Sequence, residues 1–410
     1  MAENAANARK VDRGDTEVCP VRHDADQVWR ITGYPAARAF LRDTATVQAG
    51  MGIETINMMP AGMRRPVLYR DGPEHREHRR QTARFFTPRR VDEAYRDLMG
   101  RVADAQIDRL RQADTVDLSE LSFGLAVEVT SAVIGLTESR PGIRRRLERF
   151  FPEKFGTPGF TSVNGIYWIF RQLANWSRVY FGDVRPAVRA RRADPRDDLI
   201  SHLIGENCST SEILGECLTF AAAGMVTTRE FIVAAAWHLF TDDDLKARYL
   251  AADEPGRLAI LHEILRLEPV LGHLRRRTTG PVELPGADGT VTVPAGATVH
   301  IQIQTANVDQ DVVGEQPLAV CPGRALADGG SPSGLAFGEG AHRCPGAHVA
   351  ILESDIFLTK LLALETIRMV DPPRVAFKDD IGGYELRGLR VTVRQTGPGG
   401  TRPATDAADR

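Results

Sequence analysis

The densest run of chemistry-bearing residues is Phe337-Gly-Glu-Gly340-Ala-His342-Arg-Cys344-Pro-Gly346, in which one cysteine stands just before an apolar helical pattern through Val349, Leu352 and Ile356. At a helix start, unpaired backbone N–H groups and the positive end of the dipole favour a thiolate over a thiol, and the thiolate is the form that binds a metal. Gly338, Gly340 and Gly346 remove side chains where a backbone must approach a flat ligand and turn N–H groups toward sulfur. A zinc site from His342, Cys344 and His348 is a second reading, which lacks a fourth ligand at the usual spacing. A buried structural cysteine in a glycine-rich turn is a third.

Three further patterns carry chemistry only in company. Glu263-Ile-Leu-Arg266 sets a carboxylate and a guanidinium three residues apart, on one helix face. In Asp71-Gly-Pro73-Glu-His75-Arg-Glu-His-Arg79 the proline suits a first helical turn, and His75 and Arg79, four apart, point the same way and can donate to one anion. In Ala223-Gly224-Met-Val226-Thr227-Thr228 a small pair lets a helix bulge and a hydroxyl reach the gap. Alone, these patterns read as a solvated ion pair, a basic surface helix and close helix packing.

Taken together, the motifs resemble the cytochrome P450 superfamily, whose cysteine loop reads Phe-x-x-Gly-x-His/Arg-x-Cys-x-Gly; every fixed position is met between Phe337 and Gly346. The resemblance runs from about Trp29 to Arg394 and implies a soluble bacterial type of haem-thiolate enzyme. It implies heme b (iron protoporphyrin IX), with Cys344 as the axial metal ligand and Phe337, Gly338, Gly346 and Ala223 around the macrocycle. His75, Arg79, His342 and Arg276 would hold the propionates, with Arg275 as the fallback for Arg276. Glu263 and Arg266 would form a buried network with Arg324. Thr227, with Gly224 and Thr228, would line the distal face where dioxygen is handled. One position departs from the family: Val226 stands where an acid usually precedes the threonine. Valine cannot relay a proton, so oxidative coupling competes with hydroxylation, and Glu230, one turn on, is a substitute candidate.

These residues need elements to position them. Apolar residues at Tyr95, Leu98, Val102 and Ala105, and at Leu121, Leu125, Val129 and Val133, predict amphipathic helices. A longer helix is expected from Ser211 to Phe240, opened by a capping box between Ser209 and Glu212, apolar nearly all round and therefore buried. A hairpin is expected over Val282–Val293 with its turn at Asp288-Gly289, and a strand where Val299, Ile301 and Ile303 alternate with polar neighbours. The fold class is mainly α with a small β region, the cytochrome P450 fold with haem between the long distal helix and the cysteine-loop helix. The expected organisation is a disordered segment over 1–20, one domain over 21–396 and a disordered tail over 397–410.

Composition excludes other classes. The chain has 410 residues, 52 basic and 54 acidic, and a formal net charge of -2, so no global field points to nucleic acid or an anionic membrane. The N-terminal stretch has no apolar core, predicting a cytoplasmic protein. Five scattered cysteines without a Cys-x-x-Cys pair argue against a disulfide framework or a zinc ribbon. The resemblance further implies O2, a small organic substrate with secondary metabolism as its expected setting, and electrons from a separate ferredoxin and ferredoxin reductase, the enzyme itself acting as a monomer. The docking patch would be Arg76, Arg80, Arg84, Arg89, Arg90 and Arg343. The substrate pocket would draw on Met51–Met63, Phe151–Phe170, Phe220, Val226, Leu271, His273, and Tyr384 at the end of Ile381–Tyr384. A non-enzymatic haem sensor and a recruitment protein are the remoter readings.

Overall fold

The computed structural model describes residues 7–11, 14, 19–50, 53, 64–151, 162–379 and 381–393. Most of the pocket segment from Met51 to Met63, residues 152–161 of Phe151–Phe170, and the expected tail lie outside them. Helices begin where the sequence supplies caps. Tyr34–Arg42 (α1), Gly72–Thr82 (α2) and Pro88–Ala94 (α3) carry proline in the first turn, where its missing N–H costs nothing. Arg96–Gln112 (α4) leads to Leu118–Ile134 (α5), which Asp117 caps and Gly135, at φ 100°, ends. Ile143–Phe150 (α6) and Val163–Val179 (α7) follow, and α7 continues through a π turn, Tyr180–Val184, into Arg185–Ala193 (α8). Leu199–Gly205 (α9) precedes the long helix.

That helix has the expected capping box between Ser209 and Glu212. It runs as Thr210–Ala221 (α10), a π turn at Ala222–Val226, and Thr227–Thr241 (α11). Then come Asp243–Ala251 (α12), Glu254–Leu267 (α13), Ile303–Ala306 (α14), Gln310–Val313 (α15) and Ala347–Leu362 (α16).

The principal sheet orders Val21–His23 (β1), Trp29–Ile31 (β2), Thr46–Gln48 (β3), His273–Thr278 (β5) and Thr298–Gln302 (β8) as β1-β2-β8-β5-β3. Only the β2–β8 pairing in it is parallel. Val282–Gly286 (β6) and Gly289–Val293 (β7) make the expected hairpin. Val116–Asp117 (β4), Arg390–Thr392 (β12) and Arg368–Asp371 (β9) form a small sheet, and Arg374–Lys378 (β10) pairs with Gly383–Arg387 (β11).

The main core joins α4, α5, α11, α13 and α16. Leu121, Leu125, Val129 and Val133 are buried in it, but on α4 the stripe is corrected: Met99, Val102, Ala103, Gln106, Ile107 and Leu110 face inward, while Ala105 is exposed and Leu98 only half-buried. Two stripes compete on that helix, and packing against α5 and α16 selects the one with Met99 and Ile107. Val299 and Ile301 alternate as expected, whereas Ile303 opens α14. Residues 7–11, inside the head expected to be disordered, are held: Val11 is buried in the main core and the Lys10 and Val11 amides donate to Glu268.

Candidate active site

The cysteine loop is built by its backbone. Gly338 and Gly340 take positive φ, 68° and 69°, in the left-handed region that glycine enters without penalty. A Cβ on Gly340 would collide with the backbone of Leu41 and Arg42, whereas one on Gly346 would meet open space. Gly340 is therefore required by packing against the end of α1 rather than by a flat ligand. The Cys344 amide donates to Phe337 O at 2.8 Å, closing the loop, and Phe337 packs on the main core. Cys344 is exposed as a residue, where the other four cysteines are buried or half-buried, and it stands just before α16. Burial of its sulfur among protein atoms raises the thiol pKa, and the Gly346 N–H, Arg79 and Arg343 pull it down.

Beside the sulfur lies a cluster rich in donors. His75, on α2, stacks on His342 with centroids 4.0 Å apart, and burial, with His342 and Arg79 beside it, pushes its pKa down to about 4. His342 meets Asp71 Oδ1 through Nε2 at 2.8 Å, and its Nδ1 lies 3.4 Å from Gln48 Nε2. Arg79 donates to the Arg343 carbonyl. Arg276 is buried, its Nε has no hydrogen-bond partner, and burial brings its pKa down to about 10, Asp71 pulling the other way. Arg275 instead donates to the Asp379 carbonyl. A buried guanidinium with an unused donor beside Arg79 and two histidines is a donor set suited to carboxylates. Together with the single thiol at a helix start, these residues fit a haem with two propionates.

The distal helix bulges where the Ala-Gly pair stands. Its π turn spans Ala222–Val226, a form that concentrates at functional positions, and the Thr227 hydroxyl donates to Ala223 O across it. Ala223 is exposed and Phe220, Val226 and Thr227 are half-buried on a helix otherwise packed in the core, so the opening falls on that stretch. Phe220 stacks with Phe86, centroids 5.8 Å apart. Gly224 serves a different purpose from the expected one: a Cβ there would lie 2.8 Å from Thr130 Oγ1 on α5, so its absence permits packing.

Thr228 is buried and lies near Glu353 of α16, a carboxyl that burial pushes up to about 8 with Thr228 pulling the other way, and whose Oε2 is buried without a hydrogen-bond partner. Glu353 went unnoticed in the sequence; its signal was an acid four residues from Val349, on the apolar stripe. Glu230 is no free relay. It is fully buried, accepts from Leu386 N at 2.7 Å and pairs with Arg229 at 2.7 Å and Arg387 at 2.9 Å.

The remaining candidates divide. Arg266 holds Glu263 through two 2.8 Å bonds, Arg324 reaches the same carboxylate at 3.2 Å, and the spare donors go to the carbonyls of Asn307, Pro317 and Val313. Tyr384 is corrected from pocket to structural residue: it is buried and its hydroxyl donates to Glu268 O at 3.0 Å. His273 stacks on His300, and Leu271 bridges to Gly383. On the surface, Arg80 pairs with Glu77, Arg89 with Glu93 and Arg90 with Asp197. Among the described residues no carboxylate pairs with Arg76, Arg84 or Arg343.

Residues 258–375 match the family model for Cytochrome P450. The erythromycin C-12 hydroxylase of Saccharopolyspora erythraea is 30% identical over 364 residues, 84% of this chain and 83% of that protein. The cytochrome P450 monooxygenase PikC of Streptomyces venezuelae is 30% identical over 352 residues, 83% of this chain and 78% of that one. Among solved structures, a mutant of P450 EryK in complex with erythromycin B matches with a TM-score of 0.68 at 25% identity over 95% of each chain. HmtN, a post-tailoring hydroxylase of himastatin biosynthesis, shares the fold with a TM-score of 0.72 at 23% identity, covering 93% of this chain and 95% of its own. With 30% identity running through more than four fifths of this chain and 83% of the erythromycin C-12 hydroxylase, this chain belongs to the cytochrome P450 family of monooxygenases.

Proposed function

We propose that the chain binds haem b through Cys344 and hydroxylates a small organic secondary metabolite in the cytoplasm, using O2 and two electrons from a separate ferredoxin and ferredoxin reductase. The observation that carries this reading is an exposed Cys344 just before a buried helix, with Arg79 near its sulfur and the unsatisfied Arg276 near His342. When bound, the haem supplies dioxygen binding and reductive cleavage of the O–O bond, which a thiolate ligand promotes. In the balanced reaction one oxygen atom enters a C–H bond of the substrate, and the other leaves as water with two protons and two electrons.

The chain's own residues govern position and protons. Arg276, Arg79 and His75 would hold the propionates, while His342, engaged with Asp71, braces the cluster. Phe220, Ala223 and Val226 offer apolar surface to the substrate, and Thr227 offers a hydroxyl at the π turn. Glu353, kept protonated near neutral pH by burial, is a proton reserve near Thr228, the residue next to Thr227. Arg76, Arg84 and Arg343 remain to steer an acidic ferredoxin.

A second reading, oxidative coupling, is favoured by Val226 and by the saturated Glu230, which leave proton delivery to polar groups of the substrate itself or to water. In it two hydrogens leave the substrate as a new bond forms, and both oxygen atoms leave as water with two protons and two electrons. Turnover of a secondary-metabolite panel with a surrogate ferredoxin system, read by mass spectrometry, decides. Products that gain one oxygen support hydroxylation, and products that lose two hydrogens support coupling. Tight binding of no compound and no turnover by well-loaded protein contradict both.

A further inference from the structure

Arg70 and Asp71 are neighbours in the chain whose side chains run to different walls of the site. Arg70 is buried, and its Nη2 donates to Glu216 Oε1 on the distal helix at 2.5 Å while its Nη1 donates to Glu74 of α2 at 3.3 Å. Asp71 Oδ1 lies 2.8 Å from His342 Nε2 in the cysteine loop, and its Oδ2 accepts from the Gln48 amide on β3 at 3.1 Å. Two adjacent residues thus clip the distal helix, the edge of the principal sheet and the cysteine loop together. They stand immediately before α2, which carries His75 and Arg79.

The Glu216 end of the clip admits one arrangement. Its carboxylate is buried, and besides Arg70 it accepts from the Val67 amide, 3.0 Å and 3.1 Å from its two oxygens. Val67–Tyr69 is a single 3-10 turn, closed by the Arg70 amide donating to Val67 O at 3.3 Å. One carboxylate therefore holds the backbone where the turn begins and the guanidinium where it ends. A Cβ on Gly215 would lie 3.3 Å from Pro66 Cγ, so this segment rests directly on α10. His78 of α2 stands 3.9 Å from Glu216, but burial, with Arg70 beside it, pushes its pKa down to about 3. Arg70 is left as the counter-charge.

An apolar side chain at 216 would pack the helix without the desolvation cost of a buried acid. What the acid adds is direction, since a charge-assisted bond fixes angle as well as contact. Glu216 lies one turn before Phe220 and within two turns of the π turn at Ala222–Val226, so what it holds in place is the stretch that opens to the substrate.

We propose that Glu216 is a positioning residue: through Arg70 and Asp71 it sets how the distal helix stands over the cysteine loop, and so the room left for substrate at the π turn. The substrate part of this rests on the haem reading above. The tie between the two walls does not.

Two iron ligands of different reach test it by absorption titration of the haem-loaded enzyme. Imidazole is compact, whereas 4-phenylimidazole carries a phenyl ring that must fit beneath the distal helix. Glu216→Gln keeps the shape and can still accept from the Val67 amide but gives up the charge. It should bind 4-phenylimidazole at least about fivefold more weakly while imidazole affinity holds. Asp71→Asn, at the other end of the clip, should shift the ratio of the two affinities the same way. The double variant Glu216→Gln/Arg70→Gln strands no charge, so its unfolding midpoint should recover relative to Arg70→Gln alone, with the ratio still shifted. Amide hydrogen exchange, which needs no haem, should quicken in Glu216→Gln both over residues 64–71 and in the cysteine loop, 337–346. An unchanged ratio in folded Glu216→Gln and Asp71→Asn overturns the proposal. So does a double variant in which stability and ratio recover together, or faster exchange confined to 64–71. A wild type without a thiolate-type carbon-monoxide band contradicts the haem reading instead, and the exchange result then decides the clip.

Discussion

The cysteine-loop helix and the long distal helix are built differently from the helix on the outer side. Ten of the sixteen residues of α16 and ten of the fifteen of α11 are buried, against three of the seventeen of α7. The first two are also tied by charge: Glu230 anchors α11 to β11, and Asp355 of α16 accepts from Tyr249 at 2.6 Å and from Arg257 at 2.9 Å. The part that must hold a cofactor at fixed distance from a reacting bond thus gains its rigidity from the core. Helix α7 contributes little to that core. Damage to the first region should show as lost haem and stability, and damage to the exposed face of the second should leave both nearly intact.

The largest break in that contrast is expected from Glu263→Ala, which strands Arg266 and Arg324 without their carboxylate. Loss of one partner from a buried ionic network costs about 3–5 kcal/mol, so denaturant unfolding should show a destabilisation of that size together with lost haem. Arg276→Leu comes next. It removes a buried cation whose donor is unsatisfied, so it should leave folding nearly intact while lowering haem affinity about tenfold or more, as read by haem transfer to an acceptor protein.

Glu353→Gln sharpens the comparison through pH. The native carboxyl keeps its proton from the ordinary 4.5 up to about 8, so stability falls as pH rises through that window, by up to roughly 1.4 kcal/mol per unit. Glutamine should flatten that stretch of the stability profile and reduce product formed per electron pair consumed. An unchanged profile removes Glu353 from the proton account. Tyr384→Phe deletes one buried hydrogen bond and should cost about 1 kcal/mol without altering substrate affinity. Leu173→Ser, on the exposed face of α7, should move stability by less than about 0.5 kcal/mol and leave haem binding unchanged.

What was legible in the sequence was local. The cysteine loop, the Glu263–Arg266 pair and the Ala223-Gly224 bulge are short patterns whose geometry is set within a turn or two of backbone, and the capping box at Ser209 marks its helix unambiguously. What was illegible depends on distant partners. Glu353 is an acid on an apolar stripe until Thr228 is brought to it, and Tyr384 resembles a pocket residue until its hydroxyl meets the Glu268 carbonyl. Glu230 offered a relay until Arg387 and the Leu386 amide filled its carboxylate. Periodicity groups Val163, Phe170 and Leu173 on one face of α7 but does not say which way that face turns. On α4 it likewise leaves two adjacent stripes, which only the neighbouring helices distinguish.

The central claim is ligation by Cys344, and the reduced, carbon-monoxide-bound absorption spectrum tests it most directly, recorded for the wild type beside Cys344→Ala at equal haem loading. The wild type should give a red-shifted Soret band of thiolate type that the variant lacks. A histidine-type band in undamaged, fully loaded wild type, or an identical band in the variant, would contradict the assignment.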